Sequence, residues 1–271
     1  MIAARALGAA LACLAASAAA ARVPPPDPFP RAGRAYLVVV NGAEIWARAP
    51  DEARPPASLT KIMTALLALE TGGDPGAWVE VSPRAAAQTG SRLGLAPGDA
   101  LRAEDAVAAT LVGSANDACL ALAIHLGGSE AAFVARMNAR ARALGLRRTR
   151  FVNPCGFDAP GHAASARDLA ALTRAALAVP EFRRFVAREG GEVTTRAGRR
   201  IAYRASNVLL GRVEGARGVK SGYTARAGRC VVVLAERHGV EVLLVLLDAR
   251  DRWWTAAALV EEAFARAGKR G

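Results

Sequence analysis

The stretch CVVVLAERHGVEVLLVLLD, residues 230–248, is the part of the chain from which the fold can be read. Its two runs of Val and Leu, 230–236 and 240–248, flank His238-Gly239 and read as a hairpin. Near the other end, residues 34–40 alternate weakly and turn at Asn41-Gly42, a strong hairpin signal, with 44–48 as the return strand. Residues 193–196 and 199–203 flank Ala197-Gly198 in the same manner. Between the strand groups the pattern is helical. Residues 62–69 form an apolar helix broken at Gly72-Gly73, and 74–100 are loop-rich. Helices are predicted over 101–111, 117–126 and 129–144, the last with Ser129 as N-cap and Gly145 as C-cap. Another starts near Ser165, where Ser165 and Asp168 resemble a capping pair. Trp253, Ala257, Val260 and Phe264 then recur at helical spacing and read as a core-facing closing helix, the alternative being a membrane-surface stripe. The expected class is α+β, sandwich-like: an antiparallel sheet built from both chain ends, covered by helices, with an all-helical insertion.

With 271 residues, 52% of them hydrophobic, the chain has the material for one large or two small domains. Lys and Arg number 36 against 24 Asp and Glu, a formal charge of +12, which favours anionic surfaces and substrates. The basic residues are spread out and not interleaved with aromatics, so no nucleic-acid partner is expected. Residues 1–21 read as a signal peptide: Arg5 leads, 6–16 are apolar, and Ala18-Ala19-Ala20 offer small residues for cleavage. Lipidation at Cys13 fits less well, because Ala10-Leu11-Ala12 is a poor signal for it. Residues 22–33, Pro-rich, read as a linker. The chain is therefore expected to be exported, periplasmic or extracytoplasmic. Of the remaining cysteines, Cys119 lies in an apolar run and reads as a small buried hydrophobe, which leaves Cys155 and Cys230 as a candidate disulfide.

Lysine occurs at Lys61, Lys220 and Lys269 only; the other 33 basic residues are Arg. Arg cannot lose its proton in a protein, whereas Lys can, so the two internal lysines are candidates for chemistry. Lys61 closes Ser58-Leu59-Thr60-Lys61, ahead of an apolar helix; i and i+3 share a helix face, and a neutral amine there can activate the hydroxyl. The bland reading of Ser58 is an N-cap. Ser114-Ala115-Asn116 offers a hydroxyl to relay a proton and a carboxamide to hold an amide, or an ordinary cap. Lys220-Ser221-Gly222-Tyr223-Thr224 precedes the last strand pair; a cation, a hydroxyl and a Gly suit a strand edge lining a cleft, with a surface turn as the alternative.

In this order the three motifs resemble the S-x-x-K, S-D-N and K-T-G set of β-lactamases and penicillin-binding proteins. Ser58-Leu59-Thr60-Lys61, Ser114-Ala115-Asn116-Asp117-Ala118 and Lys220-Ser221-Gly222-Tyr223-Thr224 look most like the low-molecular-mass penicillin-binding proteins that are D-alanyl-D-alanine carboxypeptidases. Gly156-Phe157-Asp158-Ala159-Pro160-Gly161-His162, Ser165-Ala166-Arg167-Asp168 and Ser206-Asn207 extend the resemblance over residues 34–268, which would form one β-lactamase/transpeptidase-like catalytic domain. The resemblance implies Ser58 as acylated nucleophile, Lys61 as its base and Ser114 as proton shuttle. Asn116 would position the substrate amide, and Lys220 and Ser221 would grip its carboxylate. Gly222 would admit the substrate backbone, the N–H groups of Ser58 and Tyr223 would form the oxyanion hole, and Thr224 would touch substrate. It implies a stem peptide of peptidoglycan ending in D-Ala-D-Ala as substrate, β-lactams as covalent inhibitors, and neither cofactor nor metal. Ser221, Ala115 and Tyr223 depart from the usual Thr, Gly and His. The β-rich second domain and C-terminal membrane anchor of many relatives are not expected. Alternatives are a D,D-endopeptidase, a class A-like β-lactamase, for which no E-x-x-L-N-type string stands between Ser114 and Lys220, and a non-enzymatic β-lactam sensor. His125, His162 and His238 are expected to be structural.

Overall fold

The computed structural model describes residues 26–268; the expected signal peptide lies outside the described residues. In chain order the elements are β1 (Ala35–Val40), β2 (Ala43–Arg48), a 3-10 turn (Ala57–Thr60), α1 (Lys61–Glu70), β3 (Trp78–Glu80), α2 (Pro83–Ala86), β4 (Ala100–Arg102), α3 (Ala103–Leu111), α4 (Asn116–Gly127) and α5 (Glu130–Ala143). There follow α6 (Ala166–Leu177), α7 (Pro180–Val186), β5 (Gly190–Thr194), β6 (Arg200–Arg204), β7 (Ala216–Thr224), β8 (Gly228–Arg237), β9 (Val240–Leu247) and α8 (Arg252–Gly268).

The 230–248 stretch forms β8 and β9, the middle of a five-stranded antiparallel sheet ordered β2-β1-β9-β8-β7. The N-terminal hairpin completes it, with Val38 opposite Leu244, so both chain ends build the sheet. Its central strands lack polar alternation because both faces are covered. Val242, Leu244 and Leu246 pack with Val231, Val233 and Tyr36 beneath α8. Leu243, Val245 and Leu247 pack with Val232, Leu234 and Leu37 against the helical side, where α1, α4 and α6 supply Ile62, Leu66, Leu120 and Leu172. Ala256, Leu259, Val260 and Ala263 of α8 are buried against the sheet, so the closing helix faces the core while Trp254 stays 68% exposed. Among the described residues no single helix is long and apolar enough to cross a membrane.

Local signals act largely as their chemistry predicts. Ser129 Oγ accepts from Ala132 N, and Gly145 takes the left-handed conformation at φ +70°. Ser165 Oγ accepts from Asp168 N, but the Asp168 carboxylate does not reach back; it accepts from Arg148 N at 2.7 Å and Thr149 Oγ1 at 2.8 Å and ties a preceding loop to α6. Residues 74–100 hold more than loop, since β3 pairs with β4 and displaces the start of the 101–111 helix to Ala103. Three-residue strands are too short to show a period.

Candidate active site

Two prolines, Pro55-Pro56, end the extended segment before the 3-10 turn, and Ala57 follows at φ +49°, where a Cβ is disfavoured. This tight turn lifts Ser58 to the mouth of α1. The Ser58 hydroxyl caps no backbone amide, which disposes of the N-cap reading: its Oγ lies within hydrogen-bond reach of Lys61 Nζ, at 3.0 Å. The turn is held from behind. Thr60 Oγ1 donates to Ala57 O at 2.9 Å and meets His162 Nε2 at 2.8 Å, while His162 Nδ1 accepts from Val152 N at 3.0 Å. Burial pushes the His162 imidazole down to about 4, so near neutral pH the ring is uncharged, with its proton on Nε2. His162 is thus a structural histidine, as expected.

Lys61 is fully buried. Its amine donates to Asn116 Oδ1 at 2.7 Å and to the Cys155 carbonyl at 2.6 Å. Burial, with Lys220 nearby adding like charge, holds the amine well below the usual lysine range. Asn116 opens α4; its Nδ2 donates to Thr89 O at 2.6 Å, so one N–H of the carboxamide stays available. Asp117, buried beside it, accepts from the N–H groups of Leu93, Gly94 and Leu95 and so folds one wall of the cleft onto α4. Sequence reasoning assigned that carboxylate no role. Ser114 sits at φ +60° just before the helix and lines the cleft.

The opposite wall is β7, an edge strand of the sheet, so its backbone toward the cleft has no strand partner. Gly222 lies so close to the turn that a Cβ there would come within 2.8 Å of Ser58 N and 2.9 Å of Ala57 Cβ; no other residue fits. Ser221 Oγ donates to Ser206 O at 2.9 Å and lies 3.1 Å from Ser206 Oγ. Lys220 stands one layer behind the position expected of it. It is fully buried and does not line the cleft, with Nζ 3.3 Å from Ser206 Oγ and 3.1 Å from Ser221 O. Burial, with Arg252 second, lowers its amine to about 7. Tyr223 is an exposed rim residue, and Thr224 Oγ1 is engaged by Asp158 Oδ1 at 2.7 Å. Arg252, which the sequence did not flag, lines the cleft and donates to the Gly222 carbonyl. The cleft is about 320 Å³ in volume, and of Lys61, Lys220 and Arg252 only Arg252 lines it. No group of three or more His, Cys, Asp or Glu among the described residues could hold a metal ion.

The disulfide is not the expected one. Cys119 bonds to Cys155, Cα to Cα 6.0 Å, and Cys230 is a free, buried thiol whose basicity burial raises to about 11. Cys119 lies one turn after Asn116 on the face of α4 that meets Cys155, while Cys230 is enclosed within β8 and donates toward Ala227 O. The apolar run around Cys119 signalled burial correctly, but a disulfide is equally buried.

The fold and this constellation, a serine hydroxyl paired with a buried lysine at i+3, are those of the S-x-x-K class of proteins. Residues 25–251 match the profile of the D-alanyl-D-alanine carboxypeptidase family, and the chain belongs to that family. It is 32% identical over 214 residues to D-alanyl-D-alanine carboxypeptidase DacF of Bacillus subtilis, a match covering 77% of this chain and 55% of that protein. It is 30% identical over 258 residues to a D-alanyl-D-alanine endopeptidase of Pseudomonas aeruginosa, covering 88% and 79%. The crystal structure of the Streptomyces K15 DD-transpeptidase superposes with a TM-score of 0.80 at 26% identity, over 86% of this chain and 97% of that one. The chain thus spans about half the length of the Bacillus relative.

Proposed function

We propose that this chain is a serine D,D-carboxypeptidase that removes the terminal D-alanine from peptidoglycan stem peptides through an acyl-enzyme at Ser58. The observation that carries this reading is the hydrogen count at Lys61. A neutral amine has two hydrogens and one lone pair. Two carbonyl acceptors, Asn116 Oδ1 and Cys155 O, take the hydrogens, which turns the lone pair toward Ser58 Oγ at 3.0 Å. Ser58 Oγ then bonds to the carbonyl carbon of the penultimate residue as its proton passes to Lys61. The N–H groups of Ser58 and Tyr223 hold the oxyanion; first-turn N–H groups have no intrahelical partner. The C–N bond breaks as Ser114 relays a proton to the leaving D-alanine amine, and water hydrolyses the ester. The terminal carboxylate rests on the Ser206 and Ser221 hydroxyls, with Lys220 behind them and Arg252 beside them. A β-lactam presents the same carboxylate and carbonyl and leaves a slow ester on Ser58. Intact-mass measurement after penicillin treatment tests this: wild type gains one adduct and Ser58→Ala gains none. An unmodified wild type, or an adduct surviving the mutation, would overturn it.

Cleavage of cross-links by the same machinery is the second reading, favoured by likeness to the Pseudomonas endopeptidase. Release of D-alanine from a free pentapeptide, measured against cleavage of a cross-linked dimer, separates the two. Export to the periplasm or another extracytoplasmic space is proposed from residues 1–21 and supported by the disulfide, a bond of oxidising compartments.

A further inference from the structure

Both acceptors that orient Lys61 come from segments joined by one covalent bond. Asn116 begins α4, and Cys119 lies one turn on; Cys155 supplies both the second acceptor and the other sulfur. The Cys155 loop is otherwise held by polar contacts of its own. Asn153 Oδ1 accepts from the N–H groups of Cys155, Gly156 and Phe157, and Thr64 Oγ1 donates to Pro154 O at 2.6 Å. Among the described contacts, only the disulfide is a covalent tie between that loop and α4. Both cysteines are buried, Cys119 at 0% and Cys155 at 2% exposure, so parting two thiols by the roughly 1.5 Å that separates a sulfur–sulfur contact from a bond shifts the loop or the helix.

We propose that the Cys119–Cys155 disulfide is a positioning element for Lys61: it clamps the Asn116 carboxamide and the Cys155 carbonyl around the amine and so keeps the lone pair on Ser58. The inference rests on Lys61 acting as base to Ser58. The charged group acting on the amine is Lys220 from β7, which has Arg252 from α8 beside it; Asp117 on α4 is turned to residues 93–95. Burial is the largest cause of the lowered basicity of Lys61, so a loosened clamp that admits water raises it.

The test is the second-order rate of acylation by penicillin, followed by intact mass from pH 5 to 10. Four proteins are compared: wild type, Cys119→Ala/Cys155→Ala, wild type reduced with dithiothreitol, and Cys230→Ala as thiol control. Cys155 borders the cleft, which gives a small dithiol its approach; each disulfide gains two electrons and two protons, and the dithiol leaves as its cyclic disulfide. The expected result is an acylation rate lower by about tenfold or more near neutral pH. Its acid limb moves to higher pH in the double variant and in the reduced protein, recovers on reoxidation, and is unchanged in Cys230→Ala. A tether that serves the fold alone would lower the melting temperature and leave the limb in place. Reduced protein keeping the wild-type rate within twofold and the wild-type limb would overturn the inference while leaving Ser58 acylation standing. Wild type without any adduct would remove both.

Discussion

At Lys61 the decisive quantity is how many protons the amine carries, and replacement by Arg changes that number permanently. Lys61→Arg puts a wide, permanently charged guanidinium where the neutral amine stands and has no lone pair to accept the Ser58 proton. Penicillin acylation is expected to fall by about 10²–10⁴-fold, the ordinary worth of a positioned base, with the melting temperature read alongside; a variant that acylates within tenfold of wild type would refute the assignment. Lys220 makes a different prediction. Its folded value, about 7, lies below the ordinary lysine value of about 10.4, so between those limits the unfolded chain holds a proton that the folded chain does not. Stability therefore rises with pH across that window, and below it the folded state bears the whole penalty. Lys220→Met is expected to flatten the rise by up to about 1.4 kcal/mol per pH unit, measured by denaturant titration between pH 7 and 10. An unchanged slope would mean that Lys220 is protonated inside the fold.

Among the elements, the contact between β7 and the nucleophile turn sets the width of the site. Gly222→Ala would force the strand away from Ser58 N, and overpacking of this kind costs about 1–3 kcal/mol. Acylation is expected to fall further than stability explains, because the oxyanion donors separate; a variant that lowers only the melting temperature would contradict that. Most elements were legible from the chain alone. The hairpins at Asn41-Gly42 and His238-Gly239, the Ser129 cap and the apolar helix behind Ser58 obey local rules that need no tertiary knowledge. The motifs also bring Ser58, Ser114, Asn116 and Ser221 to one cleft, with Lys61 buried beside Ser58. What stayed hidden depends on distant packing. Arg252 looks like any of the 33 arginines until α8 folds beside Gly222. The burial of Lys220 behind Ser206 is a property of a strand edge that sequence does not display. The Cys119–Cys155 pairing is set by which face of α4 meets a loop, and the apolar run from Ala118 to Ile124 has no polar face from which to read that.

At the scale of the molecule, one sheet divides two cores, α8 on one side and the helical region on the other. Strand β9 touches both, so a chain ending before residue 240 loses the centre of the sheet along with its closing helix. Such a truncation is expected to remain protease-sensitive and to take up no penicillin; a resistant, penicillin-reactive fragment would show that the helical side folds on its own. The pairing of β1 with β9 also has a timing. Asn41 and Glu241, bonded across that seam, are 200 residues apart, so the first of the described strands waits for the last of them. During translation the β1–β2 hairpin has no neighbour to lie against until β9 has emerged. Under the export proposed from residues 1–21, that delay would keep the chain threadable as far as the secretion channel, with locking left to the far side.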